Sequence, residues 1–444
     1  MLPNDLESLV YPLRDDVESL SRAGYVSLAR EQIAFLLAEN RVDPFERERL
    51  ELEDHLLLLR QKDFPFDEEN ALLEYRKIVP EATKDNLESL RREGRIPFSL
   101  VDGQIRYHRR FLDTIGKATA SQHDDSSLRD EMIDRMRRFG SVTADITVHI
   151  GLSLRDEAAE AGKTLNVDLP VPVRCPFLHD VRILRQSGQM VDIDAVGKKR
   201  RTAHFRGKME KGEEFWIEYS FTNTLPYNRM DLLEQKCKPS FWHAREQRPY
   251  LVGTRYLEDL AKNITGGEEN PLSRAREIYS YITKNVSYAY MPSYQTIPNL
   301  AEYGAAMRRG DCGIQAALFI NLCRVSGIKA GWMGGMYVRA GEVSNHDWAS
   351  FEIPGLPMLY ADCSFGGSAY RQGNEMRWSH YFGNLDPMRL PCTLILASAR
   401  DAKRTQWLVD PTDNQSGEAW YDDAPVPREF VVAQRKTVKF ALRG

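Results

Sequence analysis

Gly310-Asp311-Cys312-Gly313-Ile314-Gln315-Ala316-Ala317-Leu318-Phe319-Ile320-Asn321-Leu322-Cys323-Arg324 is the stretch on which the reading of the fold turns. Apolar or small residues at 312, 316, 319, 320 and 323 have the spacing of a buried helical stripe. Asp311 suits an N-cap, and Gly327 marks the helix end shortly after Arg324. Cys312 then lies in the first turn, where the N–H groups of a helix start and the positive end of its dipole favour a thiolate. Only the thiolate attacks. Cys323, deep in the same helix, fits the commoner role of a buried structural thiol.

Two residue types that a nucleophilic thiol needs follow downstream: a base and a group to orient it. Ser350 to Pro357 reads as a strand entering a tight turn, and Met358 to Asp362 as the return strand. With Ile353-Pro354-Gly355 as a three-residue loop and Gly355 left-handed, Glu352 lies opposite Leu356. Counting outward sets Trp348 opposite Tyr360 and His346 opposite Asp362. Paired residues of an antiparallel ladder share a face, so Asp362 is placed to hold the imidazole. Asp347, the strand neighbour of His346, points to the opposite face.

These segments resemble the transglutaminase-like superfamily, whose core is a papain-like fold. The residues that carry the resemblance are Arg309-Gly310-Asp311-Cys312-Gly313, Leu322-Cys323-Arg324 with Gly327-Ile328-Lys329-Ala330, His346-Asp347-Trp348-Ala349, and Tyr360-Ala361-Asp362. Ile278 to Tyr288 is similar to the family's lead-in helix and strand. The resemblance spans about residues 250 to 410 and implies Cys312, His346 and Asp362 as the catalytic set. It also implies an upstream side-chain donor for the oxyanion, for which Tyr288 and Tyr290 are best placed. The third motif departs from the family: Asp362-Cys363-Ser364 stands where many members have Asp-Pro-Thr.

At 444 residues the chain has room for two or three domains. A net charge of −4 and a pI near 6.2 argue against a general nucleic-acid binder. The first hundred residues carry 22 acidic and 14 basic side chains, so the remainder is mildly basic. The run Lys198-Lys199-Arg200-Arg201 reads as a solvated hairpin, since no aromatic platform accompanies it. Asp5, Glu7, Asp15 and Asp16 stand where a signal peptide needs basic and apolar residues, and no apolar run approaches the ~20 residues of a membrane span. A cytoplasmic protein with reduced thiols is expected. Zinc-type spacings and calcium loops of the EF-hand type do not occur, and no metal or cofactor is expected.

The expected fold class is α+β: a papain-like transglutaminase core preceded by a helical region and a β-sandwich-like module. Residues 1–138 read as short helices broken by prolines. Within 139–235, Ala144, Ile146, Val148, Ile150, Leu152 and Leu154 alternate with polar or small residues, as do Leu165 to Val173 and Phe215 to Phe221. Residues 236–444 read as the catalytic domain, with a C-terminal extension that adds an edge strand.

The expected chemistry is acyl transfer on amide bonds of peptides or proteins. Cys312 forms a thioester, His346 shuttles protons and Asp362 orients His346. Water as second nucleophile gives a protease, peptidase or amidase, and this is the favoured reading. A lysine amine gives a cross-linking transglutaminase, and a scaffold that has lost catalysis is the remaining alternative.

Overall fold

The computed structural model describes residues 11–39, 42–119, 126–240, 242, 250–396, 415–424 and 426–443. The chain is α+β. Among the described residues the helices α1 (Asp15–Ala23), α2 (Val26–Ala38), α3 (Pro44–Asp63), α4 (Glu68–Arg76), α5 (Lys84–Arg92), α6 (Phe111–Thr119) and α7 (Ser126–Phe139) come first. A hairpin, β1 (Phe98–Val101) with β2 (Gln104–Tyr107), separates α5 from α6. Local chemistry fixes the starts. Asp43 accepts from the N–H groups of Phe45 and Glu46 with Pro44 in the first turn, and Thr83 with Asn86 forms a capping box.

The apolar faces gather in two small clusters, around Val26, Ile33 and Leu50 and around Leu87, Ile96 and Phe111. Leu52 and Leu56 of α3 pack into the main core instead. Polar ties follow the same route. Asp63 Oδ2 accepts from the Ser293 N–H at 2.6 Å, Thr114 Oγ1 accepts from the Tyr290 N–H at 3.2 Å, and Arg309 donates to the carbonyls of Gly94 and Ile96. The helical region therefore buttresses the segment 288–294, which borders Cys312.

Strands β3 (Ser141–Leu154), β4 (Thr164–Pro170), β5 (Leu178–Gln186), β6 (Met190–Ile193), β7 (Thr202–Lys208) and β8 (Glu214–Pro226) follow. Their inward residues, among them Ile146, Val148, Ile150, Val167, Leu169, Ile217 and Tyr219, form one buried cluster. The alternation seen in the sequence is thus a solvent-to-core alternation.

The tail corrects the expected layout. β15 (Glu418–Tyr421) pairs with β4, and β16 (Val431–Leu442) runs antiparallel to β3 along most of its length. The resulting sheets, β15-β4-β7-β6 and β16-β3-β8-β5, are each antiparallel, and the tail supplies an edge to both. It extends this module rather than the catalytic domain. Edge strands are exposed on one side and carry little apolar alternation, so the partner was not written in the tail itself.

The basic run is also corrected in part. Arg200 donates to Glu418 Oε1 at 3.0 Å, and Arg201 donates to the carbonyls of Asp194 and Pro172. Half of that run is structural rather than solvated.

The core begins with α8 (Met230–Leu233), α9 (Arg255–Thr265) and α10 (Pro271–Asn285). A short parallel pair, β9 (Ser287–Tyr288) with β10 (Arg309–Gly310), brackets α11 (Leu300–Met307) and leads into α12 (Cys312–Val325). Gly313 to Cys323 of α12 are all buried, so the helix is enclosed on every side rather than along one stripe. It packs on an antiparallel sheet of β11 (Lys329–Arg339), β12 (Glu342–Glu352), β13 (Leu359–Ala361) and β14 (Arg389–Thr393), in the order β13-β12-β11-β14. Phe319 meets Phe351 edge-on at 5.5 Å, and Trp332, Ala349 and Ala361 share that cluster. α13 (Cys363–Arg371) and α14 (Glu375–His380) follow β13.

Ala349 pairs with Ala361, Ser350 with Tyr360 and Phe351 with Leu359. This lies two residues from the expected register. The connection occupies residues 353–358, with Leu356 N donating to the Ile353 carbonyl and Gly355 at φ +89°. A slip of two keeps every side chain on its face, so His346 and Asp362 still share one side. Among the described residues, no helix is long and apolar enough to cross a membrane.

Candidate active site

Cys312 is the first residue of α12 and is partly exposed. Its neighbour Asp311 caps the helix, accepting from the Ile314 N–H at 3.1 Å and from the Tyr294 hydroxyl at 2.5 Å. Tyr294 lies directly over Gly313. A Cβ on Gly313 would sit 2.1 Å from the Tyr294 oxygen and 2.9 Å from its ring, so this position needs glycine for close approach. Gly313→Ala is expected to displace Tyr294 and cost about 1–3 kcal/mol through overpacking. Denaturant unfolding measures this, and a wild-type midpoint would show that the ring moves freely.

The Cys312 thiol donates to Asp347 Oδ2 at 3.7 Å. Asp347 is buried, and its Oδ1 accepts from Gln415 Nε2 at 2.5 Å. His346 makes a different set of contacts. Its Nε2 meets Asp362 Oδ2 at 2.7 Å, with both side chains buried. Its ring lies 4.4 Å from the Phe365 ring and 5.9 Å from that of Trp348.

Arg389 anchors this pair from behind. Nη1 donates to Asp362 Oδ2 at 2.6 Å and Nη2 to Asp386 Oδ2 at 2.7 Å, while the Tyr381 hydroxyl donates to the same Asp386 oxygen at 3.0 Å. The guanidinium is fully buried and ringed by Tyr337, Trp348, Phe365 and Tyr381 at 4.7 to 5.6 Å. Burial would raise the carboxyls of Asp362 and Asp386, but the charge of Arg389 and, at Asp362, the hydrogen bond from His346 hold both below the usual range. Burial lowers the His346 imidazole despite the attraction of Asp362, so it rests neutral at pH 7. A neutral imidazole that donates an Nε2–H hydrogen bond to Asp362 presents Nδ1 as a base.

Of the sequence-derived residues, His346 and Asp362 are in contact, and the thiol of Cys312 meets Asp347. Asp347 touches the thiol, contrary to its assignment to the far side. Residues 347, 349 and 351 face α12, while 346 and 348 leave the strand on the opposite side. β13 ends at Ala361, opposite Ala349, so β12 continues to Asp347 and His346 without that strand beside it.

Tyr288 lies within electrostatic reach of Cys312 and Asp311. The Tyr290 ring packs edge-on against Tyr288 at 5.7 Å and is covered by the Arg110 guanidinium at 3.5 Å. Burial pushes the phenols of Tyr288 and Tyr294 well up, so both are protonated donors. Sequence reasoning missed Tyr294 as a site residue, along with Asp347, Arg389 and Asp386. Among the described residues, no group of three or more His, Cys, Asp or Glu side chains is arranged to hold a metal ion.

Residues 258–363 match the model of the transglutaminase-like superfamily, a span that contains Cys312, His346 and Asp362. Among the solved structures similar to the chain are the following three. A candidate cysteine protease from Cytophaga hutchinsonii is 14% identical with a TM-score of 0.38, covering 68% of this chain and 90% of its own. The periplasmic domain of TgpA from Pseudomonas aeruginosa is 14% identical with a TM-score of 0.27, covering 56% and 95%. A candidate protease from Parabacteroides distasonis is 13% identical with a TM-score of 0.22, covering 49% and 42%. No curated protein matches the chain.

Proposed function

We propose, for a chain whose residues 258–363 belong to the transglutaminase-like superfamily, that it is a cysteine-dependent enzyme acting on amide bonds of peptides or proteins, with hydrolysis as its outcome. The observation that carries this reading is the buried His346–Asp362 pair at 2.7 Å. A neutral imidazole held by an ionised carboxylate is the base that a thiol nucleophile needs.

In the first half-reaction His346 Nδ1 takes the Cys312 proton, and the sulfur attacks the amide carbonyl. The S–C bond forms, the C–N bond breaks, and the proton passes to the departing amine. In the second, water attacks the thioester carbonyl and gives its proton to His346. The S–C bond then breaks, releasing a carboxylic acid and restoring the thiol. The Cys312 N–H, Tyr288 and Tyr290 are the proposed donors to the oxyanion, to which Tyr294 is added by its place at Gly313. The sulfur rests on Asp347 while His346 leaves β12 on the other face, so this step requires a rearrangement that brings Nδ1 and the sulfur together, as catalytic contacts commonly form only with substrate bound. A cytoplasmic setting and a peptide or protein substrate complete the proposal. No metal or cofactor enters either half-reaction.

The thiol's contact with Asp347 favours a second reading, a binding or scaffold protein on the same fold. Acylation separates the two. An activated acyl ester is expected to leave its acyl group on Cys312, read by mass spectrometry of the peptide. Cys323, Cys363 and Cys175 are buried, which raises their thiols, that of Cys175 to about 12, and they should stay unmodified. Acylation of Cys312 no faster than that of the half-buried Cys237 would support the scaffold.

A further inference from the structure

A hydrogen-bond partner of the Cys312 sulfur is a carboxylate, that of Asp347. A nucleophilic cysteine gains from nearby positive charge and loses from negative charge, because the reactive form is the anion. The start of α12 supplies a favourable dipole, yet Asp311 already occupies it by accepting from the Ile314 N–H. Among the described residues, side chains of the surrounding elements approach Cys312. Tyr288 approaches from β9 and Tyr294 from the turn at 294–296, both as neutral phenols. Asp347 approaches from β12, and Gln415 holds Asp347 by its other oxygen. His346 leaves the same strand on the opposite side.

We propose that Asp347 is a positioning residue that sets the resting state of the site, accepting the Cys312 S–H and holding the sulfur as a thiol turned away from His346. The geometry fits each part. Oδ2 lies 3.7 Å from the sulfur, within reach of an S–H donor. Oδ1 is fixed by Gln415, so the carboxylate is not free to swing aside. Burial keeps water from screening its charge. The chain would therefore rest inactive, and attack begins when a donor on the substrate takes Oδ2 and the sulfur is released toward the imidazole.

This inference rests on the acyl-transfer reading of Cys312, and the two fail in different measurements. Alkylation of Cys312 by iodoacetamide, followed by peptide mapping across pH, reads the thiol alone. Asp347→Asn keeps an acceptor oxygen and removes the charge. The midpoint of its pH–rate curve is expected to fall by about one unit or more, with alkylation at pH 7 faster by about tenfold or more. If the Asn variant loses its far-UV circular dichroism, Asp347→Ala, a small side chain like that of Ala349, replaces it with the same expected shift. A curve that overlays wild type within threefold overturns the inference, as does slower alkylation. A downward shift with no acyl group ever found on Cys312 would uphold the role of Asp347 and sink the enzyme reading. Acyl-enzyme formation with an unshifted curve would do the reverse.

Discussion

Arg389→Met is expected to lower the stability of the fold by about 3–5 kcal/mol, the cost of leaving buried charges without their partner. The guanidinium is the common partner of Asp362 and Asp386, and all three side chains are fully buried. Methionine fills much of the volume and the aromatic ring of Tyr337, Trp348, Phe365 and Tyr381 accepts it, so the loss isolates charge rather than packing. The pH dependence has a definite sign. In wild type the depressed carboxyls contribute stability above their unfolded values, and it is lost as pH falls through the folded ones. In the variant burial raises the same carboxyls, so the deficit is largest at pH 8 and shrinks toward pH 5 as a proton replaces the lost cation. Urea unfolding at the two pH values measures this. Equal deficits at both would show that the network matters for shape and not for charge. Arg389→Lys is expected to rescue little, because one ammonium does not reproduce the two-pronged contact.

The second large effect falls on chemistry. His346→Ala is expected to slow acylation of Cys312 by about 10²–10⁴-fold, the usual contribution of a positioned base. Asp362→Asn should lose a comparable factor, since the amide neither fixes the Nε2–H tautomer nor stabilises the imidazolium. Asp362 also partners Arg389, so the Asn variant must be compared at matched folded fraction, checked by circular dichroism. Acylation by His346→Ala at the wild-type rate would show that imidazole and thiol are uncoupled, and the proposed mechanism would fall with it.

Much of this arrangement was legible in the residues, and the rest was invisible for physical reasons. The start of α12 was readable because a cap is local: Asp311, the first turn and the apolar run lie within a few positions of one another. The pairing of His346 with Asp362 survived a register error because strand faces have a period of two. The error came from the turn, where Pro354 and Gly355 belong to a longer connection than the shortest one they permit. Asp347 was misjudged by combining a correct alternation with a wrong choice of side. Nothing local says which face of β12 the helix covers, and that is decided by contacts such as Phe319 with Phe351. Arg389 carries no sequence signal at all. Its importance exists only once 27 positions of chain have folded back to bring it against Asp362.

The pairing of β16 with β3 has a consequence for the order of events at the ribosome. The segment around α12 is a guest threaded between two pieces of its host: strands at 141–226 on one side, strands at 418–442 on the other. Translation at about 5–20 residues per second leaves a delay on the order of tens of seconds between the two pieces. Through that interval the edge of β3 from Ala144 to Leu154 offers a row of backbone donors and acceptors whose partner β16 is not yet made, and β4 a shorter one awaiting β15, while their other edges already hold β8 and β7. The guest can collapse around α12 meanwhile, since its own contacts lie within the emerged chain. The host is sealed last, when residue 442 is free to dock, and until then the nascent protein is most vulnerable to pairing with a neighbour of its own kind.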